Sequence, residues 1–137
     1  MGSVKPNVLA DSRASHHLLS WSEVLATHKT LRGIGRHSLL VDRGESGYRN
    51  RFLEDGRILY PGEGLAGDQQ PLKGNRVLLE ALADGRGLRV YRREAVNQWS
   101  DLGLYKVAEV EYRFESAERR HVYWFTLTPT PRPAPTP

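Results

Sequence analysis

Residues 60–69, Tyr60-Pro61-Gly62-Glu63-Gly64-Leu65-Ala66-Gly67-Asp68-Gln69, set three glycines within six positions beside an aromatic ring, two carboxylates and a carboxamide. Glycine there permits backbone angles that other residues avoid and lets another backbone come close. The stretch suits recognition, and it equally suits a tight turn covering one end of a fold. Residues for bond-making chemistry are sparse. The five histidines include one adjacent pair, His16-His17, while His28, His37 and His121 lie far apart. Two helical ligands of one metal stand at i and i+4, so the pair does not read as a metal site. No cysteine is present, which excludes a disulfide framework, a thiolate zinc site and a cysteine nucleophile. The sequence carries no HEXXH motif, Walker loop or GXSXG elbow. A binding domain without metal or cofactor is expected, not an enzyme.

Charge points the same way. Twenty Lys+Arg against sixteen Asp+Glu leave a formal charge of +4, a bias that permits a polyanionic partner. The arginines recur beside glycine-rich or aromatic segments: Arg32 and Arg36, Arg49 and Arg51, Arg89, Arg92 and Arg93, Arg119 and Arg120. Solvated strand faces and loops would account for them as well.

The elements that must position these residues fit one domain, since 137 residues bury enough surface to hold a core without staples. No apolar run approaches the ~18 residues of a membrane span, and no signal-peptide core is present. Residues 1–19 are weakly patterned. A helix is expected over residues 20–29, with Ser20 and Glu23 at capping-box spacing and Trp21, Val24 and Leu25 as its apolar stripe. Residues 36–41 and 58–60 read as strands, the second set off by the turn dipeptide Asp55-Gly56. A second helix is expected over 75–83, where Leu78, Leu79 and Leu82 fall at helical spacing and Gly85 supplies a stop. Strands follow over 88–92, 104–114 and 121–128, the last two as a hairpin around residues 116–118. In the longest of these, Ala108, Val110, Tyr112 and Phe114 alternate with charged residues, which predicts one buried and one wet face. The pattern implies an α+β fold, a small curved β-barrel with two short helices. Residues 129–137 hold five prolines in nine positions and read as a tail, or a linker to a further domain.

Four pieces in order resemble the SET- and RING-associated (SRA) domains. Tyr60-Pro61-Gly62-Glu63-Gly64 followed by Asp68-Gln69 is similar to that family's Tyr-x-Gly-x-Gly and Asp-Gln elements. Gly74-Asn75-Arg76 with Leu78 resembles its Asn-Arg-Ala-Leu helix, and Leu88-Arg89-Val90-Tyr91-Arg92 its Val-Arg-Val strand. Asp101-Leu102-Gly103-Leu104-Tyr105-Lys106-Val107 resembles its Tyr-Asp-Gly…Tyr-Lys-Val element, so the likeness covers residues 37–128. It implies a PUA-like barrel that binds duplex DNA and extrudes 5-methylcytosine or 5-hydroxymethylcytosine into an aromatic pocket. A bacterial, cytoplasmic specificity domain of a modification-dependent HNH restriction endonuclease is the implied setting. The nuclease would lie outside these residues, and any homodimer would form through that domain.

Carried over residue by residue, the resemblance makes Tyr48 and Tyr60 the two stacking platforms, with Pro61 and Gly62 in the same pocket. The family's cytosine-reading Asp falls on Arg51, and a guanidinium has no acceptor for the N4 amine. Asn50, through its carbonyl oxygen, or Asp55 is the expected replacement. Arg32, Arg36, Arg43, Arg49, Arg51 and Arg92 are expected on DNA phosphates, or one of them in the gap of the base stack. Gly64, Asp68 and Gln69 are expected to hold the loop, the last two also capping the following helix. The family's long arginine-bearing finger is absent, because only Leu65-Ala66 separates Gly64 from Gly67. Tyr60-Pro61 also raises a rival: a small apolar site for a phosphorothioate sulfur, which needs neither carboxylate nor flipping. A PUA-like RNA-binding module and a structural domain with an incidental basic bias remain open beside it.

Overall fold

The computed structural model describes residues 17–43 and 50–131. Helix α1 (Trp21–His28) starts as its sequence dictates: Ser20 Oγ accepts from Glu23 N–H and the Glu23 carboxylate accepts from Ser20 N–H. Strands β1 (Ser38–Val41), β2 (Arg51–Phe52) and β3 (Ile58–Pro61) follow, then helix α2 (Lys73–Asp84), stopped by Gly85 in the left-handed conformation. Strands β4 (Leu88–Ala95), β5 (Gln98–Glu115) and β6 (Arg120–Pro129) complete the chain.

All six strands form one mixed sheet in the order β1-β4-β5-β6-β3-β2, with β1–β4 the parallel pair. The β5–β6 hairpin is its backbone, paired from Tyr105↔Pro129 to Glu115↔Arg120. The sheet curls far enough for side chains to link its two ends. Its seam is held by side chains instead of a ladder. Tyr60 on β3 donates its hydroxyl to the Leu40 carbonyl of β1 at 3.2 Å, and Asn50 exchanges two hydrogen bonds with the Asp42 backbone.

Strand β1 is buried on both faces. Leu39 and Val41 join the main core with Ile58, Tyr60, Leu78, Leu88, Val90, Phe125 and Leu127. Leu40 turns the other way, into a smaller cluster with Val24 of α1, Tyr91 and Trp99, where Trp21 lies against Trp99 at 5.4 Å. Full burial of each such side chain contributes about 1.5–3 kcal/mol.

Several expectations need correction. The two-residue β2 gave no sequence signal. The alternation in β5 shifts at a register irregularity between Val107 and Glu109, which takes Ala108 off the core face. The added residue moves the core-facing positions from Tyr105 and Val107 to the even-numbered residues that follow. Val110, Tyr112 and Phe114 pair with Phe125, Tyr123 and His121 on the face of Val107. Tyr112 and Phe114, toward the hairpin end, are nevertheless 46% and 55% exposed. Pro129 still pairs with Tyr105, and Thr130 N–H donates to Leu104, so the sheet reaches into the proline-rich segment. At the other boundary, Leu19 pairs with Trp99 and is already part of the fold.

Candidate nucleic-acid interface

The loops before β1 and after β3, with the start of β6, enclose a cleft of about 460 Å3. Its walls come from Arg32, Gly33 and Ile34, from Asn50, from residues 60–65 and Gln69, and from Arg120 and Val122. Tyr60, Asn50, Pro61, Gly62, Gly64, Gln69 and Arg32, all named from sequence, therefore converge on one opening.

Tyr60 is only 5% exposed and belongs to both core and cleft wall. Asn50, 1% exposed, accepts from Asp42 N–H at 3.3 Å through Oδ1 and donates to the Asp42 carbonyl at 2.8 Å through Nδ2. A carboxamide oxygen has two lone pairs, so one acceptor site remains there.

The 62–69 loop is tied down from several directions. Gln69 donates to the carbonyls of Gly62 and Gly64 and accepts from Tyr123 N–H. Gly62 admits this contact because a Cβ there would sit 2.5 Å from Gln69 Oε1. Arg120 donates to the carbonyls of Gly64 at 2.7 Å and Gly67 at 3.2 Å, while its Nε pairs with Glu118. Asp68 accepts from His121 N–H at 2.7 Å, and that bond, with the one to the His121 side chain, holds its carboxyl below the usual carboxylate range. Tyr112 donates to the Gln69 carbonyl. Asp68 and Gln69 are bonded within and beside the loop, and they do not cap α2. The N-cap is Leu72, without a side-chain bond, and the Glu63 carboxylate reaches across to accept from Gly74 N–H at 2.9 Å.

Opposite this loop, His28 fixes the Arg32 segment. It is 3% exposed, with Nε2 2.7 Å from the Arg32 carbonyl and Nδ1 2.6 Å from Ser38 Oγ. Nε2 donates to the carbonyl, and Nδ1 then accepts from the serine. Burial lowers the His28 pKa, in spite of the bond to Arg32, and favours the neutral ring.

Asp55 does not reach the cleft. It sits in the β2–β3 turn, at the other end of β3, bonded to Arg57, and the neighbouring Gly56 lies near Pro129. Arg43 and Arg92 are both committed to Glu94, at 2.8 and 2.7 Å, and Arg92 also lies over the Phe52 ring. Burial raises the Glu94 pKa, but hydrogen bonds from Ser100, Arg92 and Arg43 outweigh it and leave a carboxylate. Among the described residues Arg36 and Arg51 are exposed and have no ion pair, as does Arg119. Tyr48 and Arg49 lie outside the described residues. Sequence reasoning missed Glu63 and Arg120 as cleft residues. A lone acid between two glycines, ahead of a helix with no cap of its own, was the available signal for Glu63. Among the described residues no group of three or more His, Cys, Asp or Glu could hold a metal, and no helix is long and apolar enough to cross a membrane.

A curled mixed sheet, with a pinned glycine loop beside a cleft lined in part by Arg32 and Arg120, fits the resemblance to SRA domains. The chain belongs to the ScoMcrA-like SRA domain family, whose model matches residues 33–137. Solved structures agree in fold. The SUVH5 SRA domain with fully methylated CG DNA is 20% identical, with a TM-score of 0.71 over 90% of this chain and 93% of that one. The type IV phosphorothioation-dependent restriction endonuclease ScoMcrA is 25% identical, with a TM-score of 0.67 over 85% of this chain and 24% of that one. This chain therefore spans about a quarter of that enzyme's length. The sulfur-binding and SRA domains of ScoMcrA with phosphorothioated DNA are 23% identical, with a TM-score of 0.64 over 85% of this chain and 39% of that one. Comparison with curated protein sequences gives no match.

Proposed function

We propose that this domain recognises modified duplex DNA by receiving an extruded modified cytosine, 5-methyl- or 5-hydroxymethylcytosine, in the cleft beside Tyr60. The observation that carries this reading is the cleft itself: a deeply set tyrosine and a carboxamide with one acceptor left, behind a glycine loop fixed by Arg120 and Gln69. Extrusion costs a few kcal/mol, and base–aromatic stacking at about 1–3 kcal/mol plus edge hydrogen bonds offset it. Tyr60 supplies one stacking wall, and the resemblance assigns the other to Tyr48, which lies outside the described residues. Arg36, Arg51 and Arg119 provide guanidiniums for phosphates, which give affinity and salt dependence without sequence information. The domain supplies specificity and performs no cleavage; its place is in a modification-dependent restriction endonuclease.

The phosphorothioate reading is not favoured. In ScoMcrA the sulfur-binding domain is named apart from the SRA domain, and it is the SRA model that matches here.

The test is competition binding at fixed, near-physiological salt, with duplexes identical except for cytosine, 5-methylcytosine, 5-hydroxymethylcytosine or one backbone phosphorothioate. Preference for a modified base is expected. Equal affinity for all four would overturn the reading.

A further inference from the structure

We propose that Glu63 and Arg32 together read the amino-pyrimidine edge of the extruded base, so that Glu63 supplies the acceptor for which Arg51 is unfit. This rests on the modified-base reading above.

Both residues line the cleft, and Glu63 is the carboxylate among its described walls. Its position is fixed before any ligand arrives. Asn75 Oδ1 accepts from Glu63 N–H at 2.8 Å, and Asn75 Nδ2 donates to the Glu63 carbonyl at 2.9 Å. Oε2 accepts from Gly74 N–H in the first turn of α2, at the end of the helix that favours negative charge. The carboxylate lies flat on that turn: a Cβ on Gly74 would stand 2.6 Å from Oε1. Among the described residues Oε1 accepts no hydrogen bond.

Arg32 Nη1 stands 3.8 Å from Glu63 Oε2, outside the 2.7–3.2 Å range of an N–H···O hydrogen bond. The pair is close enough to align and too far apart to satisfy either partner. With the Arg32 side chain 56% exposed and that of Glu63 29% exposed, a flat polar edge can lie across the pair and meet both.

Together they present an acceptor beside a set of donors. Cytosine and its 5-substituted forms offer the complement, the N4 amine as donor beside N3 as acceptor. A 4-keto pyrimidine reverses that order and would set its oxygen against the carboxylate. The site thus selects an amino-pyrimidine whatever its 5-substituent, through charge-assisted hydrogen bonds.

The test uses the full 137-residue chain and duplexes carrying, at one position, 5-methylcytosine, unmodified cytosine or 5-methyl-2-pyrimidinone, which keeps the methyl group and lacks the amine. The native protein is expected to bind 5-methylcytosine about tenfold or more tightly than the amine-free base, the range of a hydrogen bond to a charged group. In Glu63→Gln that ratio is expected to shrink to about threefold or less, since the amide oxygen is a weaker acceptor. Arg32→Met should lower affinity for the 5-methylcytosine duplex and keep most of the amine discrimination. Equal binding of the two modified bases by the native protein overturns the assignment without any variant, and so does a ratio unchanged in folded Glu63→Gln. Failure to distinguish 5-methylcytosine from cytosine would instead sink the underlying modified-base reading.

Discussion

The Tyr60 hydroxyl donates to the Leu40 carbonyl across the barrel seam, so the residue that floors the cleft also closes the fold. The two roles separate by substitution. Tyr60→Phe keeps the ring and leaves the buried carbonyl without that donor, and a loss of about 1–2 kcal/mol is expected in urea unfolding. Preference for modified DNA should survive it. Tyr60→Ala removes the ring as well, with an expected cost of about 3–5 kcal/mol and loss of that preference in a binding titration.

Arg120 touches the cleft through the backbone of residues 64 and 67 and is 9% exposed. Arg120→Met leaves both carbonyls unbonded by the guanidinium and sets the loop loose. A stability loss of about 1–3 kcal/mol is expected, with faster amide hydrogen exchange confined to residues 62–69. Unchanged exchange there would show that Gln69 and Asp68 hold the loop by themselves.

Salt dependence should sort the arginines. Arg51 is exposed and has no ion pair among the described residues, whereas Arg43 is spent on Glu94. Arg51→Ala is expected to lower the slope of log affinity against log salt by about 1, equally on modified and unmodified duplexes. Arg43→Ala should leave the slope within error.

His28 sets an acid limit. Its folded pKa lies below the usual 6.5 because burial disfavours the charged ring. The unfolded chain therefore binds the proton first, and stability is complete above about pH 6.5 and declines as pH falls from there toward the folded value. Urea midpoints at pH 7.5 and 5.5 should differ in the native chain. The difference should shrink in His28→Gln, which lacks the titrating group. Asp68, also lowered, contributes a separate loss near and below its ordinary 3.8.

Local signals in the sequence located most elements. Ser20 and Glu23 set the start of α1, Gly85 the end of α2, and the β5–β6 hairpin follows from its alternation and turn. Long-range partners were not legible. Arg43 meets Glu94 fifty-one residues away, which no spacing rule anticipates, and the same holds for Asn75 under Glu63 or Gln69 under Tyr123. The bulge took Ala108 off the core face, because one added residue is invisible to a period-two reading, and the exposure of Tyr112 and Phe114 comes from their place toward the hairpin end. Asp55 looked eligible through its nearness in sequence to Asn50, but β2 carries the chain away from the cleft between them.

The Asp42–Asn50 clasp has a consequence for how such a domain can change. Two hydrogen bonds join residues eight apart, so the two ends of the intervening sequence are fastened to each other directly. Lengthening a segment closed in this way is cheap, about 0.6 kcal/mol for each doubling. The clasp holds its two ends through a backbone and one carboxamide, so its hydrogen bonds do not depend on the identity of Tyr48 or Arg49 in the sequence between them.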